Sequence, residues 1–179
     1  MIHRFLSSFS CEKDSDIEYF LHKRAVEFEN LSKSRTYLVC DELQLESRSI
    51  DNVDIYGYIS IALKILTIPD EISNRKRKEL DGLSAKIHGR QISDFPCYLI
   101  GQLSKNSNLK YNPITGTDLI NYASDIIATL VDAVGGRFMM IECRDNEHLI
   151  SFYQNNYFVE IASIPDNNIP MVQMIRKII

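Results

Sequence analysis

The chain has few of the residues that mark specialised protein classes. Its 179 residues include no tryptophan, seven glycines, five prolines and four cysteines. So little glycine and proline excludes collagen-like and low-complexity chains. No apolar run approaches the roughly 20 residues that span a bilayer. The N-terminal apolar run is broken and too weak for a signal peptide. We therefore expect a cytoplasmic protein with no membrane partner.

The potential metal ligands are also too scattered to form a site. The cysteines form no Cys-x-x-Cys pair, and none of the four histidines clusters with them. Zinc needs clustered ligands, so we expect no metal. Isolated cysteines in a cytosolic chain are usually small buried hydrophobes. They are Cys11, Cys40, Cys97 and Cys143.

Composition predicts one ordinary globular domain over residues 1–179. Hydrophobic residues make up 45% and charged residues 25% of the chain. The length is that of a single domain with a sizeable core, which needs no disulfides. The net charge of −4 disfavours a general nucleic-acid binder, although it does not exclude a local basic patch or a tRNA partner.

Periodicity predicts a helix followed by a hairpin in the first third. Apolar residues at spacings of three and four predict a helix from Ser15 or Asp16, as N-cap, to about Leu31. Strands are predicted at 36–41 and 54–68, joined by a polar turn or short linker at 42–53. Residues 70–94 form a charged insertion with one or two helical turns, and the rest of it is expected to be mobile.

The last half alternates strands and helices. A strand at 95–103 leads to a long amphipathic helix after Thr115, which ends at Gly135-Gly136. A two-sided apolar strand at 137–143 follows, then a short helix. Two final strands, 159–162 and 171–176, are separated by a turn that includes Pro165, Asp166, Asn167, Asn168 and Pro170.

The start of the long helix is a candidate anion site. Unpaired backbone N–H groups and the helix dipole attract phosphate at such an end. Gly116 allows close approach, and the hydroxyls of Thr115 and Thr117 can donate. The alternative is that Thr115 to Asp118 only cap the helix, and for this segment alone capping is the better interpretation.

The order and spacing of three segments resemble the GNAT superfamily, the N-acetyltransferases that use acetyl-coenzyme A. Residues 100–106 resemble the strand that binds the acetyl group and the pantetheine arm. Residues 111–116 take the place of the pyrophosphate loop, with Tyr111 and Ile114 replacing two family residues. Residues 145–158 resemble the helix that carries the family's Phe-Tyr pair.

The resemblance implies an α/β (α+β) fold with a splayed, mixed, mostly antiparallel sheet and helices on both faces. It implies acetyl-CoA as co-substrate and Tyr153 as the acid that protonates the departing thiolate. A phenol can donate to a developing thiolate. The cofactor-binding residues that it implies are Leu103, Lys105, Tyr111, Asn112, Thr115, Gly116, Thr117 and Asn146.

Several assignments stay open at this stage. The general base could be Glu142, Glu46, Asp54 or Glu160, or a water chain. The basic run 75–78 fits either a contact to an acidic acceptor or a solvated helix face. The acceptor is a small-molecule amine, a protein amine or an aminoacyl-tRNA, and the resemblance also suggests a homodimer. The alternative function is a catalytically inactive acyl-CoA sensor or interaction module.

Overall fold

A mixed six-stranded sheet organises the computed structural model, which describes residues 2–164 and 170–178. Its order is β1-β2-β5-β6-β8-β7. Pairing is antiparallel for β1–β2, β6–β8 and β7–β8 and parallel for β5–β6. The predicted fold class is confirmed. The strands are β1 (Arg35–Cys40), β2 (Ile55–Thr67), β3 (Lys86–Ile87), β4 (Arg90–Gln91), β5 (Asp94–Lys105), β6 (Phe138–Arg144), β7 (Val159–Ile164) and β8 (Met171–Lys177), of which β3 and β4 form a separate two-stranded ladder.

Seven α-helices lie within the described residues. They are α1 (Ile2–Leu6), α2 (Ser15–Tyr19), α3 (Ala25–Asn30), α4 (Glu42–Ser47), α5 (Asn74–Asp81), α6 (Gly116–Val134) and α7 (Glu147–Asn155). None of the helices in that part of the chain is long and apolar enough to span a bilayer. The predicted turn before β8 lies outside the described residues, except for Pro170.

The chain divides into two compact units. The first combines Met1–Ala62 with Ile100–Ile127, and the second combines Leu63–Leu99 with Ala128–Ile179. Each unit has its own buried core. The single-domain organisation stays a prediction.

In the first unit, the N-terminal helices pack on the β1–β2 hairpin. Tyr58 is fully buried, meets Phe9 edge-on with ring centroids 5.1 Å apart, and donates its hydroxyl to the carbonyl of Ile17. The predicted hairpin is confirmed, with pairs from Arg35–Ile61 to Cys40–Ile55.

Two predictions in this unit were wrong. The N-cap of α2 is Asp14, whose carboxylate accepts from the N–H of Asp16, and not Ser15 or Asp16 itself. Residues 42–53, predicted as a turn or linker, contain α4 and a 3-10 turn (Ile50–Asn52). Asp41 caps α4 by accepting from the N–H of Gln44, so one short side chain after β1 starts a helix.

The predicted helix 15–31 is present, but a π-turn (Phe20–Arg24) interrupts it between α2 and α3. The N–H of Ala25 bonds to the carbonyl of Phe20, five residues earlier. Leu21 lies within this turn and Ala25 follows it directly, and both are buried. The helix therefore keeps its apolar side toward the core across the turn.

In the second unit, Arg77 anchors the charged insertion from inside. Its side chain is 0% exposed, and its guanidinium donates to the carbonyls of Pro69, Asp70, Ile72 and Ile92 at 2.7–3.1 Å. The predicted helical turns are α5. Arg77 points inward, so the basic run 75–78 does not form one continuous exposed surface, whether for solvent or for a ligand.

Two glycines occupy positions where a side chain would clash or the backbone would be strained. Gly57 of β2 lets α6 approach, because a Cβ there would lie 2.8 Å from the Ser104 carbonyl and 3.1 Å from both Ile114 and Leu119. Gly135 follows α6 with φ +79°, which confirms the predicted stop.

The β5–β6 ladder is short. It pairs Tyr98 with Met139 and Leu99 with Met140. The β6–β8 ladder continues from Phe138–Lys177 to Arg144–Met171. Glu142 and Cys143 therefore lie beyond the last residue that β6 pairs with β5, while β8 still holds them in place.

Candidate active site

The N-terminus of α6 is closed by a capping box. The Thr115 hydroxyl accepts from the N–H of Asp118, and the Asp118 carboxylate accepts from the N–H and hydroxyl of Thr115 at 2.6 and 2.7 Å. The N–H groups of Gly116 and Thr117 stand between them at the open end of the helix. The groups of Thr115 and Asp118 cap the helix. The N–H groups of Gly116 and Thr117 are different groups of the same turn and are the ones that could bind an anion.

The end of β5 lies beside this turn. The hydrogen bonds from Thr115 hold the pKa of the Asp118 carboxyl below its usual range, and the charge of Lys105 lowers it further. Lys105 and the α6 N-terminus are therefore neighbours. An anion bound here would lie near the positive charge of Lys105 and the negative charge of Asp118.

Two asparagines fix the loop that joins β5 to α6. Asn106 is 4% exposed and donates to the carbonyl of Ile55 at 2.8 Å. Asn112 donates to the carbonyl of Tyr56 at 2.7 Å and accepts from the N–H of Ile114. Sequence reasoning missed Asn106, although a buried asparagine directly after a strand is a typical loop anchor.

The other predicted cofactor residues of this unit differ in exposure. Tyr111 is 80% exposed, Leu103 is half-buried and Thr117 is exposed. The side chain of Asn112 already makes hydrogen bonds to backbone groups of Tyr56 and Ile114. Its main-chain groups are therefore the part that could bind a ligand. The cofactor roles stay predictions.

In the second unit, Asn146 and Tyr153 share α7. Asn146 is the N-cap, and its side-chain oxygen accepts from the N–H groups of His148 and Leu149. Its amide nitrogen is the part of the side chain left to meet a ligand. Leu149 and Phe152 are half-buried, as the helix pattern predicts.

Tyr153 is a half-buried phenol set against β6. Its ring meets those of Phe152 and Phe158 edge-on, with centroids 5.0 and 5.8 Å apart. Burial raises its pKa, and the thiol of Cys143 raises it further. Within residues 2–164 and 170–178 its hydroxyl donates no hydrogen bond. The phenol is therefore protonated at neutral pH.

The turn after α7 positions this ring. Tyr157, which follows α7 after Asn156, has φ +67°. The N–H of Phe158 bonds to the carbonyl of Tyr153, which is the six-residue bond of a Schellman motif. Phe158 is thereby directed into the core, 1% exposed, against Tyr153.

The four base candidates have different surroundings. Glu142 bonds through both oxygens to Lys64, at 2.7 and 2.6 Å, and accepts from Gln173 at 2.9 Å. Asp54 accepts from Gln44 in the first unit. Glu46 and Glu160 are exposed. Of the four, Glu142 has the most side-chain hydrogen-bond partners among the described residues.

In the described ranges, no three His, Cys, Asp or Glu side chains are grouped so that they could hold a metal ion. Cys97 and Cys143 are buried, as predicted for isolated cysteines. Burial raises the pKa of each thiol to about 11.

No family model and no curated protein sequence matches the chain. Solved structures do match. AtaT complexed with acetyl-methionyl-tRNAfMet is 18% identical with a TM-score of 0.66, covering 93% of this chain and 85% of that one. A mutant of KacT is 16% identical with a TM-score of 0.65, covering 94% and 85%. AtaTR bound with AcCoA is 20% identical with a TM-score of 0.64, covering 95% and 86%.

At these identities the likeness establishes the fold. AtaT and KacT are toxins of the GNAT family. The chain therefore has the GNAT fold, in the form found in these toxins, and the resemblance stated from sequence is confirmed at that level.

Proposed function

We propose that the chain is an acetyl-CoA-dependent N-acetyltransferase. The observation that carries this proposal is the position of Tyr153, a half-buried phenol whose hydroxyl donates no hydrogen bond within residues 2–164 and 170–178. It lies on α7 of a GNAT fold, where the family resemblance requires the acid. A neighbour of the same fold is bound with AcCoA.

The first unit supplies the groups that would bind the coenzyme. The main chain of Leu103 and Lys105 would bond the pantetheine arm. The α6 N-terminus, with the N–H groups of Gly116 and Thr117, would bind the pyrophosphate, and the hydroxyl of Thr115 and the main chain of Tyr111 and Asn112 would line it. Lys105 favours this anion and Asp118 opposes it.

The reaction would be a direct transfer. The amine nitrogen bonds to the thioester carbonyl carbon, the C–S bond breaks, the sulfur takes the proton of Tyr153, and the nitrogen releases its extra proton. Solvent then reprotonates the phenolate. Tyr153 is protonated at neutral pH, and its hydroxyl can donate to the sulfur as negative charge develops there during cleavage of the C–S bond. Alignment of the reactants supplies most of the rate.

The acceptor is an amine of one of three classes. AtaT has been solved with acetyl-methionyl-tRNAfMet, so an aminoacyl-tRNA stands beside small-molecule and protein amines. AtaT has also been solved with the C-terminus of the antitoxin AtaR, which makes a protein partner worth seeking. The homodimer and the cytoplasmic location stay predictions.

One observation favours an acyl-CoA sensor as the second candidate. The Asp118 carboxylate places a negative charge beside the helix end where the pyrophosphate would bind, and Ile114 replaces a residue of the family's pyrophosphate loop. Weak coenzyme binding without turnover would follow from such a site.

The decisive experiment measures melting temperature and thiol release with acetyl-CoA, in the presence of amino acid amides and of charged tRNA. An enzyme should be stabilised by acetyl-CoA and should release thiol. Tyr153→Phe should keep the stabilisation and lose about 10²-fold or more of the rate. Tyr122→Phe, at a 41% exposed position on α6, is the matched control and should behave like wild type.

Stabilisation without thiol release for any amine would support the sensor. No stabilisation at millimolar acetyl-CoA would exclude both functions. Equal rates for Tyr153→Phe and Tyr122→Phe would remove Tyr153 from the mechanism.

A further inference from the structure

Three side chains from three strands of the second unit meet around one carboxylate. Glu142 of β6 bonds to Lys64 of β2 through both oxygens, and Gln173 of β8 donates to the same carboxylate at 2.9 Å. Glu142 and Gln173 are direct partners in the β6–β8 ladder, so the backbone places their side chains beside each other. The ladder therefore keeps the carboxylate next to Gln173.

Its cation is the less constrained partner. Gln173 is 7% exposed, the Glu142 side chain 20% and the Lys64 side chain 40%. A lysine ammonium sits on a flexible four-carbon stem. A carboxylate with so little solvent needs a positive partner. Another ammonium ion could take the place of Lys64 without moving Glu142 or Gln173.

The carboxylate is also placed for acetyl transfer. Glu142 is two residues beyond Met140, the last residue of β6 in the ladder with β5. Glu142 and Cys143 are successive in a strand, so their side chains lie on opposite faces. Tyr153 couples electrostatically to Cys143, so the candidate acid lies on the face away from Glu142. An amine held on one face could attack while the sulfur leaves toward the other.

We propose that Glu142 binds the protonated amine of the acceptor, in exchange with Lys64. The bound ammonium gives one proton to solvent before its neutral nitrogen attacks the thioester. Lys64 is a placeholder cation that the acceptor displaces, and Gln173 is a positioning residue. The acceptor class that this site selects is a primary ammonium without an adjacent negative charge. This inference rests on the proposed acetyltransferase function.

The test compares two variants that a merely structural ion pair would affect alike. KM is measured with the best amine of a panel of amino acid amides, by thiol release from acetyl-CoA, with Kd for acetyl-CoA measured in parallel. Glu142→Gln should raise KM about tenfold, because it loses a charge-assisted hydrogen bond. Lys64→Met should lower KM several-fold, because it removes the competitor. Kd for acetyl-CoA should stay unchanged in both.

A second pair of variants controls for charge alone. Arg35 of β1 and Glu29 of α3 form an ion pair at 3.0 Å in the first unit. Arg35→Met and Glu29→Gln should leave KM unchanged. Methionine should be a poorer substrate than methioninamide for wild type, since its carboxylate faces Glu142, and Glu142→Gln should narrow that difference.

Shifts of KM in the same direction, or none, in Glu142→Gln and Lys64→Met would overturn the exchange while leaving the acetyltransferase intact. A wild type that binds acetyl-CoA but acetylates no amine would overturn the proposed function and this inference together. Melting curves of both variants show whether each is folded at the assay temperature.

Discussion

The ring of Phe158 meets the ring of Tyr153 edge-on, with centroids 5.8 Å apart. The backbone of Tyr157, at φ +67°, makes this contact possible by reversing the chain after α7. A side chain in that conformation costs about 1–2 kcal/mol. Tyr157 is 79% exposed, and the guanidinium of Arg176 lies over its ring, 5.8 Å from the centroid.

Tyr157→Gly should therefore be as stable as wild type or up to about 1 kcal/mol more stable. Relief of the backbone strain outweighs or offsets the entropy of glycine in the unfolded chain. Tyr157→Val loses the same Arg176 contact but places a β-branched residue at positive φ, so it should be at least about 1 kcal/mol less stable than wild type. Urea denaturation measures both. Equal stability of the two variants would show that the strain is absent.

Arg77→Met should destabilise the fold by about 3 kcal/mol or more. The substitution leaves the carbonyls of Pro69, Asp70, Ile72 and Ile92 without their buried donor. Arg75→Met is the matched control on the same helix, where the side chain is exposed, and should change stability by less than about 0.5 kcal/mol. Similar losses in the two variants would contradict the anchoring role of Arg77.

Asp118→Asn should have opposite effects on binding and stability. Loss of the carboxylate removes the negative charge beside the α6 N-terminus, so acetyl-CoA should bind several-fold more tightly, with a smaller gain at high salt. The capping box weakens, so the melting temperature should fall. Asp125→Asn, exposed in the middle of α6, should alter neither property.

The stability effect of Asp118 should depend on pH with a defined sign. Its pKa is lowered in the folded chain, so its contribution is present above the ordinary aspartate range and is lost as the pH falls through that range. The melting temperatures of wild type and Asp118→Asn should converge in acid. A difference that persists at pH 2 would indicate another cause.

The buried thiols should destabilise the protein in alkali. Burial raises the pKa of Cys97 and Cys143 to about 11, from an ordinary value near 9, so the folded state holds these protons more tightly. The free energy of unfolding should fall as the pH rises from 9 to 11, by up to about 1.4 kcal/mol per unit for each thiol. Cys97→Val should make this slope shallower, and adding Cys143→Val should flatten it again. Three parallel slopes would contradict the assignment.

Local patterns were enough to predict the elements whose cause is local. The apolar stripe of α6, its glycine stop and the two-sided β6 follow from spacing that neighbouring residues set by themselves. The capping box of Thr115 and Asp118 was anticipated for the same reason. The order of segments shared with the GNAT superfamily then predicted that Asn146 and Tyr153 belong to the same helical segment.

Contacts between distant residues could not be predicted in this way. Arg77 looked like one cation in a charged run, and only the fold brings four carbonyls from two segments, residues 69–72 and residue 92, to its guanidinium. The partners of Glu142 lie 78 and 31 residues away, on strands whose register is a property of the whole sheet. α4 was missed because its sequence is short and polar, so Asp41 was its only local signal.

The π-turn at 20–24 holds one residue more than a regular helix needs for the same stretch. One turn absorbs that residue, so the helix keeps its rotation about its axis on both sides. A single deletion within 20–24 should therefore restore ordinary i to i−4 bonding and leave the later side chains facing as they do now. The same deletion within α3 would rotate every later side chain by about 100°.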